Sequence, residues 1–95
     1  RPWQRAEGET ADGLPVRFTT AHGNLYVILL GTPDRQTVVL PALKNGPDTE
    51  VRYLATDTVA QVSREAEGLS FEIVGPWAPS AAHAFRVSLP LSAAP

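Results

Sequence analysis

Residues 16–33 read VRFTTAHGNLYVILLGTP, and the fold turns on how this stretch alternates. Val16, Phe18 and Thr20 fall on one side of an extended chain, and Arg17 and Thr19 on the other. That period of two is the pattern of a half-buried β-strand. HGN then supplies turn residues, with Gly23 and Asn24 suited to left-handed backbone, and LYVILL follows at strand length. Together they predict a β-hairpin.

The second strand of this hairpin breaks the alternation. Leu25, Val27 and Leu29 make one face apolar, and Tyr26, Ile28 and Leu30 make the other apolar as well. An antiparallel sheet normally leaves one face to water. Two arrangements resolve this: a central strand whose outer face is shaded by loops, or an outer face packed on another domain or subunit. Trp3, a large aromatic near the start of the chain, points to the second.

Working outward, the same period recurs. TVVLPAL (37–43) reads as a short strand that Pro41 places at an edge or ends. EVRYLAT (50–56) puts Val51, Tyr53 and Ala55 on one side. VAQVSREA (59–66) and LSFEIV (69–74) flank Glu67-Gly68 as a hairpin. With those two residues as its turn, Val62 and Arg64 share a face with Leu69, Phe71 and Ile73, while Ser63, Glu65, Ser70 and Glu72 line a wet one. GPWAPSAA (75–82) is a Pro-rich connection, and HAFRVSL (83–89) turns Phe85, Val87 and Leu89 inward. Seven or eight short strands at intervals of roughly 8–12 residues are the pattern of an all-β antiparallel sandwich, immunoglobulin-like or Greek-key. Nine prolines and seven glycines leave no window for a helical period.

Composition removes several function classes. The 95 residues carry a formal charge of -2, and seven of the eight basic residues are scattered arginines. No basic stripe for nucleic acid is present. No run approaches the roughly 20 apolar residues of a membrane-spanning helix, so neither nucleic acid nor membrane is an expected partner. The absence of cysteine excludes disulfides and thiolate zinc sites.

The candidate chemistry is sparse. His22 sits in a turn and His83 begins the last strand, where it reads as peripheral. Neither has a carboxylate at a spacing that suggests metal ligation. Glu65 and Glu72 become diagonal neighbours across the predicted hairpin, and retaining glycosidases hold their two carboxyls about 5 Å apart. A catalytic pair needs a pocket that perturbs a pKa, and a face shared with Ser63 and Ser70 is solvated. Trp77 could stack on a sugar, although a lone Trp in a Pro-rich loop more often plugs the end of a sandwich. No catalytic residue, metal site or cofactor is expected.

Against this background, two stretches carry a family resemblance. Arg1-Pro2-Trp3, followed by AEGE, resembles the Gly-Thr-Arg-Pro-Trp step that leads out of the catalytic (β/α)8 barrel of α-L-fucosidases. Phe18, Thr19, Leu25, Tyr26, Ile28 and Pro33 then match that family's Phe-Thr, turn, Leu-Tyr-Ala-Ile-x-Leu and Trp-Pro sequence, with Thr32 in place of the Trp. GLSFEIV and HAFRVSL keep the family's order further on, and Ala55 stands where a Gly is usual. The resemblance is to the C-terminal β-sandwich domain. It implies that residues 1–14 lead in from a barrel and that 15–95 form the sandwich. The retaining fucosidase chemistry would belong to the barrel, which is the expected partner along with other subunits. The sandwich would be non-catalytic and architectural, contacting the barrel through Trp3, Tyr26, Ile28 and Leu30. The alternative is a carbohydrate-binding β-sandwich module using Trp77.

Overall fold

The computed structural model describes residues 2–41, 43, 49–63 and 68–88, with backbone alone for residues 2–6. Nine strands are present among the described residues, and no helix. They are β1 (Pro2–Glu9), β2 (Pro15–Ala21), β3 (Asn24–Leu29), β4 (Thr37–Leu40), β5 (Val51–Tyr53), β6 (Thr58–Val59), β7 (Gln61–Ser63), β8 (Leu69–Glu72) and β9 (His83–Ser88). They form a six-stranded sheet in the order β1-β2-β3-β9-β5-β6 and a three-stranded sheet in the order β4-β8-β7. Every strand pairing is antiparallel.

The predicted hairpin of β2 and β3 forms in the expected phase, with Val16 opposite Leu29 and Ala21 opposite Asn24. Its turn is His22-Gly23, at φ 52° and 78°, rather than Gly23-Asn24. The type I′ form of a two-residue loop, which matches the right-handed twist of the ribbon, needs positive φ at both central positions. Histidine is among the residues that tolerate this.

Inward-facing residues of the two sheets make one core. Val16, Phe18, Leu25, Val27, Leu29, Val51, Tyr53, Phe85 and Val87 come from the larger sheet, and Val38, Leu40, Leu69 and Phe71 from the smaller. Phe71 reaches across to Phe85 at a ring separation of 4.8 Å, and Tyr53 stacks beside Phe85 at 5.0 Å. Such pairs stabilise by about 0.5–1.5 kcal/mol beyond the area they bury.

Four local expectations are corrected. Pro2–Glu9, where no strand is predicted, is the edge strand β1, with a register shift between Pro2 and Glu7. EVRYLAT is a strand only over Val51–Tyr53; Ala55 lies in an exposed turn that closes at Asp57 (φ 54°). VAQVSREA is not one strand. Val59 pairs with Arg52 in the larger sheet, Ala60 is buried with its N–H donating to the Val51 carbonyl, and Gln61–Ser63 joins the smaller sheet. The chain changes layers at Ala60, where a small side chain fits between the sheets.

The fourth correction concerns register. Val62 pairs with Phe71 and Ser63 with Ser70, whereas a turn at Glu67-Gly68 would set Val62 opposite Ile73. A shift of two residues leaves each side chain on its predicted face, yet it places Glu72 opposite Gln61. Ser70, expected in water, is buried. Residues 64–67, including Glu65 and its proposed pairing with Glu72, lie outside the described residues. Gly68 serves packing: a Cβ there would stand 2.8 Å from the Leu40 carbonyl oxygen and 2.9 Å from the Pro41 Cα.

Candidate functional site

The residues singled out for contact lie on the outer face of the six-stranded sheet. β3 runs through the middle of that sheet, between β2 and β9. Its inner residues are fully buried, while Tyr26 and Ile28 are half-buried and Leu30 just beyond is 43% exposed. Register places them in rows across the strands. One row runs Thr19, Tyr26, Arg86, Arg52, Val59, and the next runs Glu7, Arg17, Ile28, Ala84. Leu54 extends the second row, its N–H donating to the Ala84 carbonyl at 3.1 Å. Trp3 lies on β1, and its side chain is outside the described residues.

The arginines of this face had no role in the sequence reading. Arg52 donates from Nη1 to the Asp57 carboxylate at 3.0 Å and to the Asp57 carbonyl at 3.2 Å. Arg17 stands opposite Glu7. Arg86 lies directly opposite Arg52 and has no ion pair among the described residues. Alternation alone predicts that these side chains face outward; that they share one row follows only from strand order.

Trp77 sits at the other candidate position, one end of the sandwich. It is half-buried, its ring edge-on to Tyr53 at 5.4 Å and to Phe85 at 6.0 Å, and 4.8 Å from His83. Its Nε1–H donates to the Arg35 carbonyl at 2.9 Å. Gln36 Nε2 donates to the Gly75 carbonyl close by, so the 31–36 and 75–82 segments are tied together over the open end. In this position the indole closes the core.

His83 corrects the expectation of a peripheral histidine: it is only 1% exposed. It shares the parity of Phe85 and Val87, so the inward pattern of the last strand reaches one step further back than expected. Its hydrogen bonds define a proton arrangement. The Ala78 N–H donates to the Tyr53 hydroxyl at 3.0 Å, and that hydroxyl lies 2.7 Å from His83 Nδ1. Thr32 gives its own proton to the Ser80 carbonyl, which assigns the imidazole proton to Nε2 and leaves Nδ1 to accept from the Tyr53 hydroxyl. Nε2–H then donates to Thr32 Oγ1 at 2.9 Å, and Thr32 donates to the Ser80 carbonyl at 3.3 Å. This neutral form fits the surroundings, because burial lowers the His83 pKa from its ordinary value of 6.5. Thr32, the departure from the family's Trp, is thus the partner of the buried histidine.

A cleft of about 160 Å³ lies beside Thr32, between the β1–β2 turn and the 31–37 segment. Asp12, Asp34 and Thr37 contribute polar groups over a floor that includes Leu14 and Val38. No group of three or more His, Cys, Asp or Glu side chains converges among the described residues.

The sequence matches no protein-family model and no curated protein. Solved structures do match. An α-L-fucosynthase from Thermotoga maritima aligns at 24% identity and a TM-score of 0.77, over 90% of this chain and 20% of that one. An α-fucosidase from the same organism aligns at 25% identity and a TM-score of 0.75, again over 90% and 20%. In complex with a mechanism-based inhibitor, the Thermotoga enzyme aligns at 22% identity and a TM-score of 0.76, over 92% and 21%. The chain thus spans about a fifth of the length of the structures it matches, and the alignments cover nearly all of it.

Proposed function

We propose that this chain is the non-catalytic, architectural β-sandwich of an α-L-fucosidase. Its barrel would hydrolyse terminal α-L-fucosyl linkages with retention. In this reading residues 1–14 approach from the barrel, with β1 at the sheet edge nearest the seam. Trp3, Tyr26, Ile28 and Leu30 form the contact. The observation that supports it is the near-complete alignment of this chain with only a fifth of several fucosidase chains. A chain that aligns with so small a part of an enzyme, and in which no group of three or more His, Cys, Asp or Glu side chains converges among the described residues, serves the enzyme through packing. The rival reading, a carbohydrate-binding module centred on Trp77, gains no support from an indole whose N–H is bonded and whose ring packs on three core rings.

The test is activity on an aryl α-L-fucoside. The 95-residue chain is expected to have none, and the product of the complete reading frame encoding it is expected to release fucose with retained configuration. Turnover by the 95 residues alone would overturn the proposal. So would a complete product without fucosidase activity.

A further inference from the structure

The outer face of the six-stranded sheet has a composition that specifies what covers it. Ile28, Ala84 and Leu54 make an apolar row, and Tyr26, Arg86 and Arg52 make a parallel row beside it. Four large apolar side chains are more than a third exposed among the described residues: Leu30, Leu54, Val59 and Val74. The first three continue this face. The charge is equally uneven. In a chain of net -2, Arg17, Arg52 and Arg86 all emerge here. Glu7 stands opposite Arg17, Asp57 pairs with Arg52, and Glu50 shares the outward parity of Arg52, while Arg86 at the centre makes no ion pair among the described residues.

Like charges directly opposite each other on a sheet are destabilising, so the Arg52–Arg86 pair is not explained by the stability of this chain. Arg86, half-buried between Tyr26 and Arg52 and next to the Ile28–Ala84 row, can receive a carboxylate, since a guanidinium pairs with it through two parallel N–H···O bonds. We propose that this face docks a protein surface presenting an apolar ridge with a carboxylate beside it. The carboxylate would bind Arg86 together with Arg52, and the ridge would lie along Ile28, Ala84 and Leu54. The occupant is the catalytic domain of the preceding section, so the inference rests on that reading. A second copy of this chain does not present that ridge and carboxylate: a symmetric pairing would set the Arg86 of each copy against the same arginine-bearing face.

Arginine modification by phenylglyoxal, located by mass spectrometry, tests the docking. It is applied to the 95-residue chain and to the product of the complete reading frame, with fucosidase activity measured on the same samples. Arg86 and Arg52 are expected to react in the short chain and to lose reactivity in the long one, while exposed Arg35 reacts in both. Arg86→Glu supplies the second readout. In the short chain it sets a carboxylate opposite Arg52, so the thermal midpoint holds or rises. In the long product it places like charges at the contact, so the midpoint falls and Arg52 becomes reactive. An active long product in which Arg86 still reacts would overturn the docking face and leave the functional reading intact. A long product without fucosidase activity would overturn that reading, and the occupant named here with it.

Discussion

The two faces of the six-stranded sheet are made by the same backbone, yet they do opposite things. On the inner face Phe18, Val27, Phe85 and Tyr53 stand in one row, all buried, with Phe71 packed against them from the other sheet. On the outer face the neighbouring rows hold Tyr26, Ile28 and Ala84 half in water, with three arginines among them. The inner face is complementary to something in the same molecule. The outer face sets Tyr26, Ile28 and Ala84 beside Arg86 and Arg52 and has nothing in the described structure to pack on. Complementarity within the molecule is what separates the core face from the outer one.

Substitutions at adjacent positions on the two faces test this division. Phe85→Ala is expected to cost about 3–5 kcal/mol in the short chain, measured by denaturant unfolding. Arg86→Ala, one residue along the same strand, should stay within about 0.5 kcal/mol. Equal losses at the two positions would refute the division. Tyr53→Phe keeps the ring but removes the hydroxyl that serves Ala78 N–H and His83 Nδ1, and is expected to cost about 1–3 kcal/mol. Gly68→Ala pushes a methyl group into the Leu40–Pro41 backbone and should cost about 1–3 kcal/mol through overpacking.

A smaller effect comes from pH. His83 has a folded pKa below its unfolded value of 6.5, so the folded state binds fewer protons. Its stabilising contribution is complete above 6.5 and declines as pH falls from 6.5 toward the folded pKa. Protonation would place a hydrogen on Nδ1, where Tyr53 now donates, so the Tyr53 hydroxyl would have to turn from donor to acceptor while Nε2–H kept its bond to Thr32. Unfolding midpoints should therefore fall between about pH 7.5 and about pH 5, and His83→Gln should flatten that part of the curve. An unchanged slope in the variant would assign the pH dependence to other groups. The least effect is expected from Ile28→Lys, which should alter the short chain's stability by no more than about 0.5 kcal/mol while weakening the docking contact.

Much of this architecture is legible in the alternation. Val16, Phe18, Leu25, Val27, Leu29, Phe85 and Val87 are buried as their parity predicts. Tyr26 and Ile28 fall on the second apolar face that LYVILL announces. The same parity, carried back one step, points His83 into the core, and only its polar side chain argues against that position. The layer change at Ala60 was hidden because VAQV alternates without interruption, and a strand that swaps sheets keeps its local period. The packing role of Gly68 is hidden because close approach to another strand leaves no mark on neighbouring residues. Trp77 could be placed as a plug from its Pro-rich loop, but its contacts with Tyr53 and Phe85 could not.

By itself, then, the sequence determined that the chain is built of strands and which side of each strand faces in, because the alternation of side chains is a property of extended backbone alone. Tertiary structure decided which strands are neighbours. It inserted β9 between β3 and β5, which set Arg86 against Arg52 and lined up Ile28, Ala84 and Leu54. It also brought Thr32 to His83 across 51 positions of sequence. These juxtapositions depend on how two sheets pack around one core and on the register that packing selects. No local pattern encodes a partner so far along the chain.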